Sequence, residues 1–207
     1  MAIKNIIFDF GGVLIDWNPE YLFRKVFDDE NEMHFFLKEV CSSEWNLKQD
    51  EGRTFEEAIR LLSEEHPQYK DEIAQYFSRW LETVGGDIAE NSSLIEALKP
   101  NYRLFGLTNW SAETFPLAYR KYPFFKALDG IVVSGEEKLI KPDHRIYQRL
   151  LERYDLIPGE SVFIDDSKPN IDAALELGFK VVHYSEQVNL KEELVKLGIQ
   201  IDQTILS

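Results

Sequence analysis

Apolar residues change their spacing along this chain. Ile6, Ile7 and Phe8 form a short continuous run that ends abruptly at Asp9, the pattern of a strand buried on both faces. From residue 16 to about 90 the spacing is helical. "PEYLFRKVF", "ENEMHFFLKEV", "TFEEAIRLLSEEH" and "YKDEIAQYFSRWLETV" each place apolar side chains three and four apart, and turn-forming residues at 28–30, 52–54 and 66–67 separate them. This predicts an all-helical block of roughly four helices and no strand. Beyond Asn91 the pattern changes again. Strand-like "YRLFGLTN", "LDGIVVSGE", "ESVFIDD" and "KVVHYS" alternate with helical "SSLIEALKP", "DHRIYQRLLERYD", "PNIDAALELG" and "NLKEELVKLG". Ser or Asn caps are expected for "SSLIEALKP", and "SAETFPLAYRKY" reads as a helix broken at Pro116. Strand alternating with helix implies an α/β fold with a doubly wound parallel sheet. The first strand must join that sheet, so the helical block is an insertion. The expected division is an α/β core of residues 1–15 and 91–207, with an inserted helical bundle at 16–90.

The predicted strands end in polar groups. The first ends at Asp9, "LFGLTN" at Thr108 and Asn109, and "VFIDD" at Asp165 and Asp166. Lys141 precedes a helix in "LIKPD". A parallel sheet brings all its carboxyl ends to one edge, where open α/β sheets bind ligands. Three carboxylates there would repel one another unless a cation sits among them, and hard oxygen donors suit Mg²⁺. Thr108, Asn109 and Lys141 supply donors and one positive charge, a set suited to phosphoryl oxygens. A carboxylate such as Asp9 can serve as a nucleophile toward phosphorus.

Composition narrows the partners. The 207 residues are 44% hydrophobic, enough for a real core. Against 23 basic side chains stand 37 acidic ones, a net charge of −14. Nucleic acid and anionic membrane surfaces are therefore excluded as expected partners. A small anionic substrate stays possible wherever the fold gathers local positive charge. The single Cys41 fits a reducing compartment and reads as packing. "MAIKNIIFDF" has no secretory apolar core and no run approaches membrane-spanning length, so a cytoplasmic protein is expected, either monomer or homodimer.

The four segments "FDFGGVL", "LTN", "KPD" and "IDDSKPN", in this order and in these strand contexts, resemble the four motifs of the haloacid dehalogenase (HAD) superfamily. Members of that superfamily are mostly Mg²⁺-dependent phosphatases. The helical insertion resembles the family's C1-type cap. The stretch from "PDHRIYQRLL" to "ALELGF" is most similar to the branch that holds haloacid dehalogenase-like phosphatases and the phosphatase domain of epoxide hydrolase. The resemblance implies that Asp9 is nucleophile and metal ligand and that the Gly11 carbonyl and Asp166 are further ligands. Asp165 would be a ligand or its support, Thr108 and Asn109 would hold phosphoryl oxygens, and Lys141 would bridge nucleophile and phosphoryl group. The implied substrate is a small phosphorylated metabolite, with sugar phosphates among the candidates.

One position departs from the pattern. Family phosphatases generally carry a second aspartate two residues after the nucleophile as general acid and base. Here that slot is Gly11. The metal contact survives through a carbonyl, but the proton donor does not, so aryl, acyl and anomeric phosphates would be favoured leaving groups. Asp16 and the acids of the insertion are the alternative donors. A metal-independent 2-haloacid dehalogenase needs no such proton, but the paired Asp165 and Asp166 speak against it. A binding or regulatory protein with a weakened site is the remaining alternative. Trp45, in "SSEWNLKQDEGR", could face the site or pack the interior of the insertion.

Overall fold

The computed structural model describes residues 2–202 and Thr204. Among the described residues seven strands are formed: β1 (Asn5–Phe8), β2 (Ile15–Trp17), β3 (Val84–Asp87), β4 (Arg103–Thr108), β5 (Gly130–Val133), β6 (Ser161–Asp165) and β7 (Lys180–His183). Five make one parallel sheet in the order β5-β4-β1-β6-β7. The continuous apolar runs follow from burial on both faces. Ile6 and Phe8 lie in one core cluster with Leu94, Ile95 and Leu98, whereas Ile7 lies in a second with Phe105, Phe163, Ile146 and Tyr147. Each such side chain contributes about 1.5–3 kcal/mol on burial, so a one-residue slip of β1 is strongly disfavoured.

Register sets the site. Phe8 pairs with Gly106 on one side and Ile164 on the other. Asp9, Thr108 and Asp165 therefore emerge at nearly the same level of the sheet's carboxyl edge.

Residues 16–90 depart from the strand-free reading. β2 and β3 pair antiparallel, Ile15 opposite Asp87 and Trp17 opposite Val84. Strands of three and four residues, one of them containing Gly85 and Gly86, are too short and too glycine-rich to show a two-residue period. Between them lie five α-helices, Glu20–Phe23, Glu30–Phe35, Ser43–Asp50, Phe55–Glu65 and Lys70–Ser78, with a π-turn at Phe36–Val40 and 3₁₀ turns at Pro67–Tyr69 and Trp80–Thr83. Asp29, Ser42 and Thr54 cap three of these helices by accepting the N–H of Asn31, Trp45 and Glu57. The interior of the block is aromatic: Trp45 packs edge-on against Tyr76 at 5.2 Å and Phe55 at 6.2 Å. Trp45 is thus a packing residue.

Two further expectations change. Pro116 does not break a helix; it sits in the first turn of Phe115–Lys121, where its missing N–H is no loss. The helix holding "SSLIEALKP" starts earlier, at Ala89, without a side-chain cap. Asn91 instead donates to the Val13 carbonyl at 2.8 Å, tying this helix to the loop after β1. Among the described residues no helix is long and apolar enough to cross a membrane.

Candidate active site

The loop after β1 is shaped by the residues that follow Asp9. The Asp9 N–H donates to the Ile164 carbonyl at 2.8 Å, which continues the β1–β6 ladder by one residue. Its Oδ1 accepts the Phe10 N–H at 2.7 Å and lies 2.9 Å from Lys141 Nζ. Among the described residues no hydrogen bond reaches Oδ2. Gly12 has φ +72°, and a Cβ there would collide with the Asp166 carboxylate. Only glycine fits that position. Gly11 is different: its φ is unexceptional, and a Cβ would meet nothing within 4 Å.

Lys141 is 2% exposed and bridges two carboxylates, Asp9 and Asp165 Oδ2, the latter at 2.6 Å. Burial alone would lower its pKa, but the attraction of Asp9 and Asp165 raises it above the usual lysine value. It is a permanent cation. Asp165 is fully buried and fully engaged: besides Lys141 it accepts the Ser167 N–H at 2.8 Å and the Asn170 amide at 3.0 and 3.2 Å. Asp166, the next residue, is exposed. Desolvation, then the neighbouring Asp165, raise its pKa. Asp9 is 8% exposed, and burial pushes its pKa from 3.8 up to about 7; Lys141 opposes the rise while Asp165 and Asp166 add to it.

Oxygens of Asp9, Asp165 and Asp166 all lie within 4.8 Å of one another. Three hard anionic donors, whose mutual repulsion adds to the burial that raises the pKa of Asp9 and of Asp166, fit a divalent cation such as Mg²⁺. A second feature points to a missing ligand oxygen. Thr108 Oγ1 is buried at the same edge without a hydrogen-bond partner, and such groups are rare in native interiors.

Asn109 is held differently from the sequence expectation. Its Oδ1 accepts the Lys141 N–H at 2.8 Å and its Nδ2 donates to the Lys141 carbonyl at 3.0 Å. The amide clamps the backbone that carries the lysine, so both of its polar ends are engaged. Thus Asp9, Thr108, Asp165, Asp166 and Lys141 converge, with Gly11 at the rim and Asn109 beneath the lysine.

The helical insertion closes over this edge. A small cavity of about 80 Å³ is lined from the insertion side by Trp17, Asn46, Asp50 and Trp80, and from the core by Gly11, Asn109, Trp110 and Thr114. Trp80 and Trp110 meet across it at 5.4 Å. Ser134 Oγ accepts the Trp110 N–H at 2.9 Å and donates to the Asp50 carbonyl at 2.7 Å. Glu113 accepts the Phe55 N–H at 2.6 Å. Sequence reasoning did not single out Asp50, the tryptophans of this cavity or Ser134. A signal was available for Asp50, since it is an acidic residue closing a helix, against the macrodipole.

This fold and edge are those of one enzyme class. The chain belongs to the haloacid dehalogenase-like hydrolases: that family's model matches residues 6–184. Its relatives include phosphatases and (S)-2-haloacid dehalogenases. The sesquiterpene phosphatase of Aspergillus oryzae is 26% identical over 196 residues, covering 95% of this chain and 97% of that one. A HAD-like hydrolase from Porphyromonas gingivalis, 27% identical, superposes with a TM-score of 0.74 over 95% of this chain and 98% of its own. A HAD family enzyme from Bacteroides thetaiotaomicron, solved with magnesium and inorganic phosphate, has the same fold at a TM-score of 0.72 and 24% identity, covering 93% of this chain and 99% of that one.

Proposed function

We propose that this hydrolase cleaves a small phosphomonoester through an aspartyl phosphate on Asp9, with Mg²⁺ as cofactor. The observation that carries the reading is the single edge holding Asp9 with an uncommitted Oδ2, the buried Lys141 cation beside it, and the unpartnered Thr108 hydroxyl. Asp9 attacks phosphorus. Lys141, bonded to the same carboxylate, orients it and meets the charge of the phosphoryl oxygens, and Thr108 Oγ1 gains its hydrogen bond from one of them. Asp165 and Asn109 act as positioning residues for Lys141. Asp9, Asp166 and the Gly11 carbonyl would hold the Mg²⁺, with Asp165 close enough to assist. The ion, when bound, supplies charge that offsets repulsion between the acids and the phosphoryl group.

Residues 16–90 are read as a cap that selects the substrate. The closed cavity of about 80 Å³ is far below the roughly 300 Å³ of ordinary ligand pockets, so a larger alcohol enters with the cap displaced. Trp17, Trp80 and Trp110 suit an alcohol with a C–H-rich face, a feature that sugar and terpenoid alcohols share.

The test is a phosphate-release screen over phosphorylated metabolites, with Mg²⁺ and with chelator, beside a 2-chloropropionate control. Mg²⁺-dependent release that disappears in Asp9→Asn is the expected result. Halide release in chelator, without phosphate release, would assign the protein to the dehalogenases instead.

A further inference from the structure

The proposed reaction lacks a proton donor on the β1 loop, and the room that such a side chain would fill is open: a Cβ at Gly11 meets no atom within 4 Å. Gly11 borders the cavity under the insertion, and of the side chains lining that cavity Asp50 alone is a carboxyl group. The other nearby acids are committed. Asp16 accepts the Tyr21 hydroxyl at 2.9 and 3.1 Å, Glu113 holds the Phe55 N–H, and Asp87 holds Ser92. Asp50 is held through its main-chain carbonyl by Ser134, while its carboxyl group is met by the Ser111 N–H and, at a long 3.4 Å from Oδ2, by Asn46. Among the described residues no ion pair reaches it.

We propose that Asp50, brought over the sheet edge by the helical insertion, is the general acid and base of this enzyme and does the work of the carboxyl group absent at Gly11. The proposal rests on the phosphatase reading. In the first half-reaction Asp9 bonds to phosphorus and the bond from phosphorus to the ester oxygen breaks. That electron pair goes to the leaving oxygen, which takes the Asp50 proton. In the second, water bonds to phosphorus while Asp50 takes its proton. The bond from phosphorus to Asp9 breaks, the electron pair returns to the Asp9 carboxylate, and inorganic phosphate and protonated Asp50 result.

The surroundings of Asp50 suit the role. Burial pushes its pKa from 3.8 to about 7, the Ser111 N–H opposes the rise, and Asp9 adds to it. Tyr76, from the helix packed behind, is buried and neutral. The helix Ser134–Glu137 presents the Ser134 hydroxyl, while its Glu137 is paired with Arg149 and Arg153. Arg53, just past the end of the Asp50 helix, is turned to Gln49 Oε1 and the Trp45 carbonyl. Among the described residues no cation is therefore paired with the Asp50 carboxyl group.

The experiment measures kcat/KM with Mg²⁺ for aryl and alkyl phosphates of rising leaving-group pKa. The enzymes are wild type, Asp50→Asn and Asp50→Asn/Gly11→Asp. Wild type should show a shallow dependence. Asp50→Asn should lose about 10²–10⁴-fold on alkyl esters and less than about tenfold on p-nitrophenyl phosphate, whose alcohol leaves unprotonated. With p-nitrophenyl phosphate it should also release one nitrophenolate per enzyme in a burst, because breakdown of the aspartyl phosphate has lost its base. Adding Gly11→Asp should restore alkyl ester turnover at least tenfold. An Asp50→Asn enzyme with the wild-type leaving-group dependence would overturn the proposal. So would an equal loss on every ester that Gly11→Asp fails to repair. A wild type that releases no phosphate from any ester fails at the earlier step and removes the phosphatase reading itself.

Discussion

Asp50→Asn should make the folded protein more stable, and by an amount that depends on pH. A carboxyl group whose pKa is raised on folding binds its proton more tightly in the native state, so its ionisation opposes folding. Below the unfolded value of 3.8 both states are protonated and the group contributes nothing. The destabilisation grows as pH rises and is complete above the folded value of about 7. A shift of about three units at 1.36 kcal/mol each gives an upper bound of roughly 4 kcal/mol at pH 8, half of it at pH 5.5 and about 1 kcal/mol at pH 4.5. Part of Asp50 reaches solvent, so about 2–3 kcal/mol at pH 8 is the fairer figure. Asparagine keeps the shape and the ability to accept from Ser111 while removing the charge. For a chain of this length the gain corresponds to a rise in Tm of about 4–12 °C at pH 8. The assay is thermal or urea unfolding of wild type and variant between pH 4.5 and 8, in chelator so that no cation screens Asp9. A gain that does not grow with pH, or an Asn variant no more stable than wild type at pH 8, would refute the reasoning: the carboxyl would then be solvated and ordinary.

Other outcomes follow from the same geometry. Thr108→Val removes a buried hydroxyl that has no partner, so unfolding should shift by less than about 1 kcal/mol, while inhibition by inorganic phosphate weakens about tenfold or more. Lys141→Met leaves Asp9 and Asp165 buried without their cation; a loss of about 3–5 kcal/mol is expected in urea unfolding, with kcat down at least about a hundredfold. Gly11→Ala should fold with a Tm within about 2 °C of wild type, because the space is open and φ is ordinary. Gly12→Ala should lose at least about 1–2 kcal/mol and most activity, since its Cβ would displace Asp166.

The central sheet was legible because its strands are buried on both faces, which writes them as unbroken apolar runs punctuated by loops. The convergence of Asp9, Thr108, Lys141, Asp165 and Asp166 followed from topology alone, since parallel strands bring their carboxyl ends to one edge. What was illegible depended on neighbours distant in sequence. β2 and β3 gain their pairing from each other across the whole insertion, and segments of three and four residues carry no period of their own. Pro116 was misread because a proline in the first turn and one in a helix interior look alike until the helix start is known. The amide of Asn109 could face phosphate or backbone from sequence alone, and only the fold shows that it holds the backbone of the Lys141 loop. Asp50 is one of 37 acidic residues and belongs to no strand end; its place at a helix C-terminus marks it as unusual, but only the seating of that helix over Gly11 shows what it faces.

That seating has a consequence for how the reaction is timed. An acid on the β1 loop would be in place whether or not the insertion were closed. An acid on the insertion is in place only when Ser134 holds the Asp50 carbonyl and Trp80 lies against Trp110. On the proposed mechanism, proton transfer would be tied to closure, which would also exclude bulk water while an aspartyl phosphate forms. The empty position at Gly11 fits the same logic. A carboxyl group there would stand beside Asp9 and Asp166, adding a fourth negative charge to an edge that already raises the pKa of two acids. On the proposed reading, a donor on the insertion would stand apart from the acids proposed to hold Mg²⁺, and its arrival would be part of substrate capture.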